Sequence, residues 1–240
     1  MSAAAAVQSL AGGLIVSCQA PVDSPLHDPM VIAAMAQAAV HRGAIGVRID
    51  TPAHIEAVRQ RVRVPIIGLW KRQIPGYEVY ITPQFEDAKA VAVAGAEIIA
   101  IDATLRDHPQ GTTVAQLIDR IHNELGKAVM ADVDTLEAAL QAAEAGADLV
   151  GTTLYGYTST TQHCQPPGFD LLSQMVDRLS IPVICEGGIA SPQMAQAALQ
   201  RGAFAIVVGT AITGVDALVQ SYQSAIHDSV IDRSGTDSSA

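Results

Sequence analysis

Lys71 stands at the end of "PIIGLWKR" (65–72), a run with scarcely any polarity that closes on two cations. Glu186 ends "PVICEG" (182–187) in the same way. A lysine whose ammonium form is disfavoured by a nearby cation and by desolvation can act as a general base or form a Schiff base. A carboxyl group at the end of another strand is a candidate acid–base partner for such a lysine. The residues alone leave a bland reading open, in which Lys71 pairs with Glu186 or Asp132 as a structural ion pair. Other apolar runs also finish on polarity, at Gln19, Arg48, Asp102, Asp132, Thr152 and Thr153.

The elements that must hold these residues are legible as a repeating pattern. Strand candidates lie at 13–19, 44–49, 65–71, 97–103, 128–133, 149–154, 182–187 and 205–211. Alanine-rich amphipathic stretches separate them at 29–42, 52–62, 84–94, 113–125, 134–145, 168–179 and 191–201. The "GA" pairs at 43–44, 95–96, 146–147 and 202–203 read as helix C-caps leading straight into the next strand. The pattern predicts a single (β/α)8 TIM barrel spanning 1–228, with a short N-terminal helix and a frayed polar tail over 229–240. An open doubly wound sheet would carry a glycine-rich turn after its first strand, where this chain has "SCQAPVDSPLHDP".

In such a barrel functional groups stand at the C-terminal strand ends, so the polar residues above converge on one rim. Strand alternation then turns Lys71, Leu69 and Ile67 to the barrel interior and Trp70 and Gly68 to the helices. By the same count Glu186 follows Ile184 inward and Cys185 faces out. In the seventh and eighth units, "CEGGIASPQ" (185–193) and "VVGTAI" (207–212) are each a strand, then small residues, then a helix start. Gly187, Gly188, Gly209 and Thr210 let backbone N–H groups approach an anion there, so they are the expected phosphate-binding residues. Ser191-Pro192 reads as N-cap and first helical residue.

Composition narrows the partners. Hydrophobic residues are 49% and charged residues 16%, enough for a large core, and aromatics are only 4%, as suits a parallel sheet of Ala, Val, Ile and Leu. The net charge of −10 argues against nucleic acid or an anionic membrane as partner. Cys18, Cys164 and Cys185 lack metal-ligand spacing and read as free thiols of a reducing cytoplasm. No apolar run approaches the ~20 residues needed to span a bilayer. Alanine-rich barrel helices make a homodimer an expectation.

Together "LIVSCQA…PLH", "PIIGLWKR", "YITP", "IDAT", "MADV", "DTLEAA", "TTLYGYT" and "PVICEGGI…SP" resemble the bacterial N-acylglucosamine-6-phosphate 2-epimerases, over roughly residues 10–215. Those enzymes interconvert N-acetylmannosamine 6-phosphate and N-acetylglucosamine 6-phosphate in sialic acid breakdown. The resemblance implies Lys71 as proton-abstracting base and Glu186 as the opposing acid. It implies Gln19, Arg48 and Asp132 as substrate-positioning residues, glycine-rich loops on the phosphate, and neither metal nor organic cofactor. Thr153 and Asp102 join the substrate-binding set by their places on the rim, with Asp102 ranked below Asp132. Two departures stand out. After "AIT" the family usually has an arginine where this chain has Gly214, with Arg72 as a substitute cation. After Arg48 it favours a small-residue turn where this chain reads "IDTP".

Rival functions leave different marks. A metal-dependent pentulose-phosphate epimerase needs rim histidines, and no strand here ends in one. Decarboxylase and aldolase relatives carry Asp-x-Lys-x-x-Asp at strand three, where this chain has "GLWKRQI". A Schiff-base aldolase and a non-catalytic phosphosugar-binding protein remain alternatives. Outside the rim, His27 could touch the loop over the site, and 155–168 reads equally as a lid bearing Tyr155 and Tyr157 or as a plain surface loop.

Overall fold

The computed structural model describes residues 2–235, with side chains as far as residue 227. Eight parallel strands close into a barrel in sequence order: β1 (Leu14–Cys18), β2 (Gly46–Asp50), β3 (Ile66–Leu69), β4 (Ile98–Asp102), β5 (Ala128–Asp132), β6 (Leu149–Gly151), β7 (Val183–Cys185) and β8 (Ala205–Val208). β8 returns to β1 with Ile15 opposite Val207, which seals the ring. The helical layer is α2 (Pro29–His41), α3 (Pro52–Arg61), α4 (Phe85–Val93), α5 (Val114–Arg120), α6 (Leu136–Glu144), α7 (Phe169–Arg178) and α8 (Pro192–Gln200). α1 (Ala3–Gln8) precedes the barrel, and α9 (Thr210–Thr213) and α10 (Val215–Gly235) follow it. The expected barrel is therefore the observed one.

Local chemistry explains the boundaries. The Asp28 carboxylate accepts Met30 N and Val31 N ahead of Pro29, so α2 starts with its first orphan donors satisfied. Ser191 Oγ does the same for Met194 N ahead of Pro192. The "GA" glycines at 43, 95, 146 and 202 all take positive φ, and the alanine after each is buried at the next strand's entry.

Two concentric cores follow from strand alternation. Ile15, Ile67, Leu69, Ile98, Met130, Ile184 and Val207 fill the barrel interior. Val16, Ile49, Ile66, Ile99, Val129 and Cys185 pack outward against the helices. The interior core is closed below by α1, whose Ala6 and Val7, with Leu10 beyond it, are buried against the strands. No helix among the described residues is long and apolar enough to cross a membrane. Of the tail expected over 229–240, the backbone stays helical to Gly235, and 236–240 lie outside the described residues.

Candidate active site

The alternation drawn for the third strand holds. Ile67 and Leu69 are interior, Trp70 packs on the outer core, and a Cβ on Gly68 would meet Val91 and Ala96 of the helix side. Two residues past β3, Lys71 thus turns into the mouth, and Glu186 does so one residue past β7, above the interior Ile184.

Arg48 is the hub of the site. It is only 2% exposed, and it forms a bidentate pair with Asp132, Nη1 to Oδ1 at 3.0 Å and Nη2 to Oδ2 at 2.6 Å. The same Nη1 donates to Glu186 Oε2 at 2.9 Å. Thr153 Oγ1 completes the cluster, 2.7 Å from Asp132 Oδ1 and 3.1 Å from Glu186 Oε2. Thr152 Oγ1 fixes the backbone of Glu186 from both sides, donating to its carbonyl at 2.8 Å and accepting its N–H at 3.1 Å.

A buried guanidinium facing two carboxylates sets the local electrostatics. Burial works against the charge of Arg48, but Asp132 and Glu186 outweigh it and hold the guanidinium more firmly protonated than usual. Burial pushes Glu186 the other way, up to about 7, with Asp132 adding repulsion and Arg48, Thr153 and Lys71 opposing. Glu186 is therefore a carboxyl able to gain and lose a proton near neutrality, as an acid–base group must.

Lys71 Nζ donates to Gln19 Oε1 at 2.6 Å, and Gln19 Nε2 to Ser17 Oγ at 2.9 Å. Its ammonium form is disfavoured by crowding inside the mouth, and Arg48 adds repulsion against the pull of Asp50, Glu186 and Asp132. The side chain nonetheless remains open to water, which screens these effects and leaves it reachable by a ligand. Asp50, the departure noted after Arg48, accepts Lys71 N at 2.9 Å and so anchors the lysine's backbone. Behind it Thr51 takes φ 71°, a region costly for a β-branched residue. His27 Nδ1 lies 3.0 Å from Ala20 O, bracing the turn that carries Gln19, and stacks edge-on against His54 at 4.6 Å.

The two small-residue loops lie beside this cluster. Gly187 and Gly188 take φ 96° and 70°, and a Cβ on Gly188 would come within 2.5 Å of Pro166. Among the described residues no protein acceptor takes the N–H groups of Gly187, Gly188, Gly209 or Thr210. Gly214 closes α9 with its N–H on Thr210 O, and a Cβ there would lie 2.8 Å from Thr210 Cα. Any side chain at 214 would force this turn to shift. Arg72 is no substitute cation: it stacks over Trp70 at 4.6 Å and pairs with Asp87 at 3.2 Å, on the helix side. The loop over 155–168 is pinned, with Thr158 Oγ1 on Asp134 at 2.7 Å and Thr161 Oγ1 receiving Gly156 N at 3.0 Å. Tyr155 packs toward the outer core, while Tyr157 lies against Gly187.

The structure revises the part expected of Asp102. Its carboxylate is fully buried and bound by Thr104 Oγ1 at 2.7 Å and Arg106 Nη2 at 2.7 Å, with no surface left for a sugar hydroxyl. Asp132 is equally sealed, engaged by Arg48 and Thr153, so it orients those residues rather than contacting a ligand. Arg48 likewise gives three of its N–H contacts to carboxylates.

Sequence reasoning missed Tyr80 and Arg106. After β3 the chain doubles back and inserts 80–82 antiparallel beside the strand end, with Arg72 N on Tyr80 O, Thr82 N on Trp70 O and Asp102 N on Ile81 O. This puts the Tyr80 phenol near Asp132, Asp102 and Arg48, where burial and the two carboxylates raise its pKa and keep it a neutral donor. The clue in the sequence was the short apolar "VYITP" directly after the lysine strand. A groove of about 560 Å³ lined by Tyr77, Arg106, His108 and Gln141 lies outside the mouth and contains none of its acid–base groups. Among the described residues no group of three His, Cys, Asp or Glu side chains is placed to hold a metal ion.

A closed parallel barrel whose C-terminal mouth brings together a lysine, a carboxyl group pushed up to about 7 and two glycine-bearing loops has the layout of a barrel enzyme suited to acid–base chemistry. Comparison with known proteins gives the particular family. Residues 32–228 match the family model NanE, N-acetylmannosamine-6-phosphate epimerase. A relative from Thermosynechococcus vestitus, bearing the name N-acetylmannosamine-6-phosphate 2-epimerase, is 66% identical over 215 residues, covering 90% of this chain and 93% of its own. One of the same name from Synechococcus elongatus is 62% identical over 223 residues, covering 92% and 96%. The solved N-acetylmannosamine-6-phosphate 2-epimerase from Clostridium perfringens superposes with a TM-score of 0.87 at 38% identity, over 91% of this chain and 95% of that one. The chain belongs to the NanE epimerase family.

Proposed function

We propose that this protein is a cofactor-independent isomerase that interconverts N-acetylmannosamine 6-phosphate and N-acetylglucosamine 6-phosphate by inverting C2. The observation that carries the reading is the pair of protonic groups facing each other across the mouth, Lys71 accessible on one wall and Glu186, pushed up to about 7, on the other.

C2 of the open-chain sugar lies next to the C1 aldehyde, which makes its hydrogen acidic. Neutral Lys71 Nζ removes that proton, and the C2–H electrons move into a C1–C2 double bond with negative charge on O1. Glu186 delivers its proton to the opposite face of C2, the C1 carbonyl reforms, and the configuration is inverted. Proton exchange with water in the open mouth returns Lys71 and Glu186 to their starting states. The reverse reaction uses the same pair with roles exchanged. Gln19, held by Ser17 and Lys71, is the amide nearest the base and serves substrate positioning. The N–H groups of Gly187, Gly188, Gly209 and Thr210, which find no protein acceptor among the described residues, suit the phosphate, whose binding energy orients the reacting carbon. Free thiols at Cys18, Cys164 and Cys185 accord with work in the cytoplasm. Exposed Ile212, Val215, Leu218, Val219 and Tyr222 make an apolar stripe along α9 and α10, which supports a homodimer through this helix.

The test is C2 exchange. In D₂O the protein should replace the C2 hydrogen of N-acetylmannosamine 6-phosphate while the second epimer appears, both read by proton NMR. Absence of both removes the activity. Lys71→Ala should abolish exchange, and an adduct trapped at Lys71 by borohydride would instead make the reaction a Schiff-base one.

A further inference from the structure

When the C2 proton leaves the sugar, negative charge gathers on O1, and such an oxyanion needs a hydrogen-bond donor already aimed at it. The donors of the central cluster are committed elsewhere. Arg48 Nη1 donates to Asp132 Oδ1 at 3.0 Å and to Glu186 Oε2 at 2.9 Å, and Nη2 donates to Asp132 Oδ2 at 2.6 Å. Thr153 has a single hydroxyl hydrogen, with both of these carboxylates in reach of it. Gln19 Nε2 gives to Ser17 Oγ, and its Oε1 accepts from Lys71.

Tyr80 differs. Its segment is held between the ends of β3 and β4, with Ile81 bridged to Lys71, Thr82 N on Trp70 O and Asp102 N on Ile81 O. This places Tyr80 on the Lys71 wall of the mouth, and its ring packs on the cluster that fills the barrel interior. The phenol has no hydrogen-bond partner among the described residues, and it is not among the side-chain atoms that are sealed from water without one. The nearby carboxylates leave its proton alone because they are taken, Asp102 by Thr104 and Arg106 and Asp132 by Arg48 and Thr153. We propose that Tyr80 is a catalytic residue whose phenolic O–H donates a hydrogen bond to substrate O1 and stabilises the enolate between the two proton transfers. The proposal rests on the epimerase reading and supplies the oxyanion donor that the pair of Lys71 and Glu186 lacks. The phenol keeps its own proton throughout. Burial, with Asp132 and Asp102 adding to it, holds that proton more firmly than in an ordinary tyrosine, so the donor is neutral at neutral pH.

Tyr80→Phe keeps the packed ring and removes only the unpartnered hydroxyl, so the variant should fold with the wild-type Tm. Its kcat on N-acetylmannosamine 6-phosphate should fall by roughly 10²–10³-fold with KM little changed, the loss expected for one oxyanion donor. Two C1 probes, bound by calorimetry, separate O1 from the rest of the sugar. The aldonate 2-acetamido-2-deoxygluconate 6-phosphate carries negative charge on its C1 oxygens and should bind the variant about tenfold more weakly. The alditol 2-acetamido-2-deoxyglucitol 6-phosphate carries a neutral C1 hydroxyl and should lose far less. A kcat within about threefold of wild type would overturn the assignment. So would equal losses for the two probes, which would put the hydroxyl against another part of the sugar. Binding needs no turnover, so the probes decide the contact to O1 even if the wild type fails to exchange C2, the result that removes the epimerase reading.

Discussion

Asp132→Asn is the sharpest probe of how the mouth is built. The wild-type pair is almost wholly removed from water, with Arg48 2% and Asp132 0% exposed. Its two contacts, at 2.6 and 3.0 Å, are both charge-assisted. An amide keeps the shape but turns an N–H toward Arg48 Nη2, so donor faces donor. Breaking a buried pair from one side costs ~3–5 kcal/mol because the remaining charge is left uncompensated. Glu186, 2.9 Å from Nη1, still offers a counter-ion, which favours the lower end of that range. In a domain of this size ~3 kcal/mol corresponds to a fall of ~6–12 °C in Tm. The same substitution removes the repulsion that helps hold the Glu186 proton, and it hands Arg48 to Glu186 alone. The Glu186 limb of the C2 exchange profile should therefore move to lower pH. Calorimetry and pH-dependent deuterium exchange on the folded variant check both parts. A variant with Tm within about 2 °C of wild type and an unmoved limb would refute the account of Arg48 as a hub that needs both carboxylates.

Three further outcomes follow from single features. Glu186 sits above the ordinary carboxyl value, so between about pH 4.5 and about 7 the unfolded chain ionises it while the folded chain keeps it protonated. Wild type should thus lose stability relative to Glu186→Gln as pH rises through that window, by at most ~3 kcal/mol, and change no further above it, as urea unfolding at stepped pH would show. Gly214→Ala brings a Cβ 2.8 Å from Thr210 Cα, and the forced shift should cost ~1–3 kcal/mol and raise KM for the phosphosugar more than it lowers kcat; unchanged stability would mean that α9 yields freely. Thr51→Gly relieves a non-glycine residue at φ 71° and should raise stability by ~1 kcal/mol without altering C2 exchange, measured by thermal unfolding.

Much of this was readable from local pattern. Alternation alone turned Lys71 and Glu186 inward and Trp70 and Cys185 outward, because a strand's side-chain period is two whatever surrounds it. The glycine-alanine pairs marked helix ends since positive φ is a property of a single residue. The apolar "VYITP" hinted at a further short segment but not at its place, because only the pairing of 80–82 with Trp70 and Asp102 makes it part of the mouth. Asp102 was misjudged for the same reason, its partners Arg106 and Tyr80 being supplied by loops.

The sequence by itself therefore determined the barrel, the rim and the inward turn of Lys71 and Glu186, all of which follow from the order and period of short segments. Only the tertiary structure decided which polar residues are sealed by one another and which stay open to the mouth. Arg48 reaches Asp132 across 84 residues and Glu186 across 138, contacts that exist only because eight strands close on themselves. Closure removes that cluster from water, and it is the loss of water that turns an ordinary glutamate into an acid near neutrality.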